Sequence, residues 1–159
     1  MRIIYLLLML PGILIGCTAS PDFDMKNVER SLTLKQVTDN PDKYKTKNII
    51  WGGTILETRN LKNETQIKVL AYPLNTSHRP LTNKVSLGRF IILHTGYLEP
   101  TNYAAGKQLS VSGIISGTKS GMIDETKYTY VQIRAKKMFL WSDESETKTF
   151  FHFGIGIEL

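Results

Sequence analysis

The stretch Ile49-Ile50-Trp51-Gly52-Gly53-Thr54-Ile55-Leu56-Glu57-Thr58 (IIWGGTILET, residues 49–58) is rich in β-branched side chains and broken in its middle by two glycines. Such a run predicts a strand, and glycines inside it mark a place where the strand must bend sharply. Four further runs of the same kind follow, TQIKVLAY (65–72), RFIILHT (89–95), QLSVSGIIS (108–116) and YTYVQIRA (128–135), with turn-rich segments between them. Period-two patterning gives two of them an inward face. Thr65, Ile67, Val69 and Ala71 alternate with Gln66 and Lys68, and Thr129, Val131, Ile133 and Ala135 alternate with Gln132 and Arg134. Gly113 interrupts the fourth run as Gly52 and Gly53 interrupt the first. Five strands and no long helical pattern predict an all-β fold, a small closed or partly open OB-like β-barrel, with one short N-terminal helix.

That helix is predicted from Thr33-Leu34-Lys35-Gln36, which has the spacing of a capping box, with Leu34 and Val37 on one face. Asn40-Pro41-Asp42 either ends it or starts a further turn, proline being suited to a first helical position. Tyr44 is expected to pack on the barrel. The domain is therefore placed at residues 31–145. The preceding TASPDFDMKNVER (18–30) is polar and aperiodic, and reads as a flexible tether.

Ahead of the tether, the apolar stretch Ile3–Ile15 is 13 residues long and contains Pro11 and Gly12. A spanning helix needs about 20 residues, so this run is too short to cross a bilayer comfortably. Arg2, the apolar core and a small residue before a cleavage point follow the plan of a secretory signal. The sole cysteine, Cys17, stands where the run stops. Leu14-Ile15-Gly16-Cys17 resembles the bacterial lipobox, which implies that residues 1–16 are removed, that the Cys17 thiol carries diacylglycerol, and that its new amine is acylated. Leu14, Ile15 and Gly16 would then be read by the processing enzymes. Thr18, in place of an Asp, points the anchored chain toward the outer membrane.

Lys plus Arg exceed Asp plus Glu by 20 to 14, a surplus that by itself selects no partner. With one cysteine there is no intramolecular disulfide and no all-cysteine zinc site. His78, His94 and His152 are far apart and none has metal-ligand company, so no metal is expected. Ser116-Gly117-Thr118-Lys119 matches an S-x-x-K string, but it lies between two predicted strands and lacks the helix that such a serine requires. It reads as a glycine-containing hairpin loop, and no catalytic residue, cofactor or enzymatic activity is expected. His78-Arg79-Pro80 with Lys84 and Arg89 forms a basic region after the second strand, a candidate site for an anionic small molecule or glycan. A nucleic-acid site would interleave exposed aromatics with that charge. Tyr72 and Phe90 fall in apolar strand patterns instead, and nucleic acid is not an expected partner. In the C-terminal FFHFGIGIEL (150–159), Phe151, Phe153, Ile155, Ile157 and Leu159 share one face. This is an edge strand, a tail, or a segment that meets a membrane or partner.

Residues 31–141, through Trp51-Gly52-Gly53, Tyr72-Pro73-Leu74 to Arg79-Pro80, Gly88-Arg89-Phe90 and Leu98-Glu99-Pro100 to Tyr103, together with the lipobox, resemble the Slp family of outer-membrane lipoproteins. The resemblance implies a lipid-anchored envelope protein of Gram-negative bacteria, associated with starvation stress, facing the periplasm or the exterior. It brings no catalytic residues. Its partners would be outer-membrane lipid, through the anchor, and another envelope protein. Thr46 stands where the related pattern often has glycine, and the tail lacks a long Tyr/Pro-rich run. Two functional readings follow: a non-enzymatic envelope and stress-associated module, or a ligand-binding barrel using the basic loop.

Overall fold

A computed structural model describes residues 20–142. Its elements are α1 (Leu34–Asp39), α2 (Pro41–Tyr44), β1 (Asn48–Asn60), β2 (Glu64–Ala71), β3 (Gly88–Thr95), β4 (Gln108–Ile123) and β5 (Thr126–Leu140). The strands close into a barrel in the order β1-β2-β3-β5-β4, with β4 returning to β1. Every pairing is antiparallel except β3 with β5. This is the predicted all-β, OB-like architecture. The lipobox residues Leu14, Ile15, Gly16 and Cys17, and the segment FFHFGIGIEL, lie outside the described residues.

Alternation sets the inside of the barrel. Along β2, Thr65, Ile67, Val69 and Ala71 are buried and their neighbours are half-exposed. Ile49, Ile55, Phe90, Leu109, Val111 and Ile133 complete much of the core from the other strands. Glycine is required where strands approach most closely: a Cβ on Gly53 would lie 1.9 Å from the Leu70 carbonyl oxygen, and one on Gly113 would lie 2.5 Å from that of Arg134. The β4–β5 register also shifts at Ser112/Gly113, so the predicted bend there is a bulge.

The capping box forms as the sequence requires. Thr33 Oγ1 accepts from the Gln36 amide at 3.2 Å, and Gln36 Oε1 accepts from the Thr33 amide at 2.9 Å. Asn40-Pro41 begins a second short helix rather than ending the helical region, with Pro41 in its first turn. Leu34 and Val37 are buried, α1 packs against β3 and β5, and Tyr44 packs on the core. The Trp51 indole N–H donates to the Leu32 carbonyl at 3.1 Å, joining this cap to β1.

Three details differ from the sequence reading, and a fourth accounts for one of its observations. Ser116–Lys119 is not a hairpin loop: β4 runs through it to Ile123, because Gly117, at φ +147°, absorbs a second bulge. Thr129 is exposed, whereas Tyr130 is buried on the outer face against Ile91 and Leu93, a second small cluster that alternation alone does not reveal. From Pro21 onward the expected tether is docked. Phe23 is 5% exposed and meets His78 edge-on at 5.6 Å, and the Glu29 amide donates to the Asn48 carbonyl at 2.9 Å. Finally, Thr46 adopts φ +72°, which explains why glycine suits that position.

Candidate functional site

The docked N-terminal segment and the β2–β3 connection form two sides of a groove of about 380 Å³ at the edge of the barrel. Leu32, Leu34, Ile50, Trp51, Leu74 and Leu87 give it an apolar lining, while Arg30, Thr33, Asn75 and His78 contribute polar groups. Its size and lining fall within the usual range for small-ligand sites. The β1 register explains why the groove exists. From Lys47, just before β1, to Ile55, odd-numbered residues face β4 and the residue preceding it: the Ile115 amide donates to the Lys47 carbonyl at 3.0 Å and the Ile55 amide donates to the Lys107 carbonyl at 2.8 Å. On the other edge, the Asn48 carbonyl accepts from Glu29 and the Gly52 carbonyl accepts from Tyr72 at 3.1 Å. Ile50 lies between these two contacts, beyond the end of the β1–β2 pairing at Gly53, and lines the groove. The site can therefore shelter an apolar body against a mostly apolar lining with a few polar groups at its border.

The wall at residues 72–81 is pinned from outside. Leu74 bridges to Pro80, the Trp141 indole donates to Ser110 Oγ at 2.9 Å, and Ser110 Oγ donates onward to the His78 carbonyl. The Arg79 guanidinium lies 5.4 Å from the centre of the Trp141 ring, and its Nη2 donates to the Ser142 carbonyl at 3.3 Å. Arg79 is thus drawn toward β5. Lys84 stands on the exposed part of the loop, and Arg89 opens on a different cleft with Leu87, Lys35 and Lys127. The structure does not bring Arg79, Lys84 and Arg89 into one pocket. Tyr72 is half-exposed in the groove wall, while Phe90 is core.

A smaller cleft of about 170 Å³ lies between the outer face of β1–β2 and the β4–β5 hairpin. One carboxylate there faces three cations: Lys68 Nζ is 2.6 Å from Glu57, Arg59 Nε is 3.7 Å from the same carboxylate, and Lys119 donates to the Gln66 amide oxygen at 3.5 Å. The described residues contain no group of three or more His, Cys, Asp or Glu placed to hold a metal. Two tyrosines are held above their ordinary titration range, Tyr97 by its hydrogen bond to Glu99 and Tyr103 by burial. Both shifts favour the neutral phenol, the opposite of what activates a tyrosine as a base. The groove is the feature that sequence reasoning missed. Its one visible sign was an indole beside a glycine pair in β1, and its depth comes from the docking of residues expected to be free.

Comparison with known proteins agrees with the residues. Residues 14–155 match the Outer membrane lipoprotein Slp family. An uncharacterised protein of Haemophilus influenzae is 32% identical over 130 residues, which cover 81% of this chain and 70% of that protein. Outer membrane protein Slp of Escherichia coli is 23% identical over 138 residues, covering 86% and 73%. Among solved structures, the yeast mitochondrial single-stranded DNA-binding protein Rim1 aligns with TM-score 0.38 and 15% identity, covering 60% of this chain and 94% of its own. A small single-stranded DNA-binding protein of Streptomyces coelicolor aligns with TM-score 0.39 and 14% identity, covering 64% and 97%. With the match extending over most of its length, the chain belongs to the Outer membrane lipoprotein Slp family, which places it at the outer membrane.

Proposed function

We propose that the mature protein is a non-enzymatic interaction module, acylated on Cys17 and held close to the leaflet that carries it, and that its apolar groove receives a partner of the envelope. The observation that carries this reading is the docking of residues 21–29 on the barrel. Only Thr18, Ala19 and Ser20 then separate Cys17 from buried Pro21. Four residue steps reach at most about 14 Å, so lipid on Cys17 keeps the groove wall beside the membrane. Two or three acyl chains give the firm attachment that one chain does not. The raised titration of Tyr97 and Tyr103 fits a binding role, since it favours the neutral phenol.

Cys17→Ser tests the anchor. The variant is expected to lose palmitate labelling in cells and to accumulate as a longer, unprocessed chain, and unchanged labelling refutes the assignment. A photocrosslinker at Leu74, in the groove wall, tests the interaction role. A discrete crosslinked envelope protein is expected, and crosslinks to none above those of an Asp124 control argue against it.

A further inference from the structure

Residues 72–89, YPLNTSHRPLTNKVSLGR, contain Arg79, Lys84 and Arg89 and no Asp or Glu. Near the end of the same connection, just before β3, Val85 is 85% exposed and Leu87 is 55% exposed, two large apolar side chains presented to water two residues apart. Folding does not require this, since the loop is held by its ends: the Leu87 amide donates to the Ala71 carbonyl at 2.9 Å, and the Leu81 amide donates to Pro73 at 2.8 Å. Leu87 also lines two depressions. One is the groove whose opposite side is Met25 and Val28 of the docked segment. The other holds Arg89, Lys127 and Lys35, with Asp39 as its acidic member, and Asp39 is paired to Lys35 at 2.7 Å.

An exposed apolar pair within a cationic surround is the pattern of an interfacial membrane contact, in which the side chains enter the headgroup boundary and the cations meet lipid phosphates. Leu87 shares the groove with Met25 and Val28 of the segment that leads to the anchor. We propose that Val85 and Leu87 insert into an anionic phospholipid surface, with Lys84 and Arg89 against its phosphates, giving the barrel a second membrane contact that fixes its orientation. This rests on the anchored reading of Cys17 and adds to it a defined face. Lys84 and Arg89, two of the three cations chosen from the sequence, thus act as a charged border to an apolar loop without needing to share a pocket, while Arg79 holds the loop to β5 through Trp141 and Ser142.

The test uses the full lipidated chain, in which acylation of Cys17 leaves an introduced cysteine as the free thiol. Val85→Cys, labelled with an environment-sensitive fluorophore, is reconstituted into phosphatidylethanolamine/phosphatidylglycerol vesicles. Met122→Cys, on β4 and also 55% exposed, is the control. The Val85 probe should shift to the blue and be quenched by lipids spin-labelled near the headgroup, and the Met122 probe should do neither. Equal, water-like emission from both sites overturns the proposal, and flotation of the same samples reports the anchor separately. In the Cys17→Ser chain the loop is tested without the anchor. Val85→Asp should lower vesicle partitioning about tenfold or more, Val85→Trp should raise it, and Lys84→Glu should lower it on anionic but not on neutral vesicles. Partitioning indifferent to all three substitutions overturns the proposal even if Cys17 is not acylated.

Discussion

Phe23→Ala separates docking of the anchor segment from folding of the barrel. Ordering one residue costs about 1–2 kcal/mol, so holding residues 21–28 costs on the order of 10 kcal/mol. Against this stand buried Pro21 and Phe23, half-buried Met25 and Val28, the Glu29–Asn48 backbone bond at 2.9 Å, and the exposed ion pair of Lys47 with Glu29 at 2.9 Å. Such an ion pair contributes about 0–1 kcal/mol. Removing a buried phenylalanine ring costs about 3–5 kcal/mol, and here that loss falls on a segment with little in reserve. Docking should therefore weaken by at least about a hundredfold, since each 1.4 kcal/mol is a factor of ten. Amide hydrogen exchange is the assay. The Glu29 amide should lose about two orders of magnitude of protection, while amides of Ile67 and Ile92 in the barrel ladder keep theirs. With lipid on Cys17 as proposed, the same change would lengthen the reach between Cys17 and the barrel to about 52 Å, the extent of fifteen residue steps to Leu32, which Trp51 holds. Protection of Glu29 within threefold of the parent value would falsify the reasoning, because the segment would then be held independently of the ring that buries it.

Gly53→Ala should destabilise the barrel by about 3 kcal/mol or more, since its Cβ would lie 1.9 Å from the Leu70 carbonyl oxygen and β1 and β2 must part to admit it. A chemical denaturation midpoint matching that of the parent refutes the close approach. Thr46→Gly should do the reverse, stabilising by about 1 kcal/mol by relieving a β-branched residue held at φ +72°. A lower melting temperature for that variant removes the explanation offered for the related glycine.

The barrel was legible because its signal is local and repeated. Thr65-Gln66-Ile67-Lys68-Val69 states its inward face by alternation, and Thr33 to Gln36 states a helix start by spacing. Both forces act between residues a few positions apart. What escaped depends on pairs far apart in sequence. Phe23 looks like one aromatic in a polar run until His78 is beside it, 55 positions later, and Tyr130 looks outward-facing until Ile91 and Leu93 cover it from β3. Ser116-Gly117-Thr118-Lys119 looked like a loop because glycine is read as punctuation. In a strand as long as β4 the same residue can serve as a bulge within the ladder.

The same division explains why a function suggested by composition required geometry to become specific. Arg79, Lys84 and Arg89 are near one another in sequence and share a sign, and on that ground alone they suggest an anion pocket. The structure assigns them different surroundings: the face of Trp141, the exposed loop, and the cleft beside Lys127. Three cations spread over one connection cannot enclose a small anion. Spread charge is suited instead to a surface that is itself extended, on which many phosphates lie in a plane and Lys84 and Arg89 each find one. Val85 and Leu87 make the choice sharper. A soluble anion gains nothing from two bare apolar side chains next to its site, whereas a bilayer boundary offers both phosphate and hydrocarbon within the reach of one loop. The groove between that loop and the anchor segment would then open along the membrane surface, accessible to partners that share the leaflet.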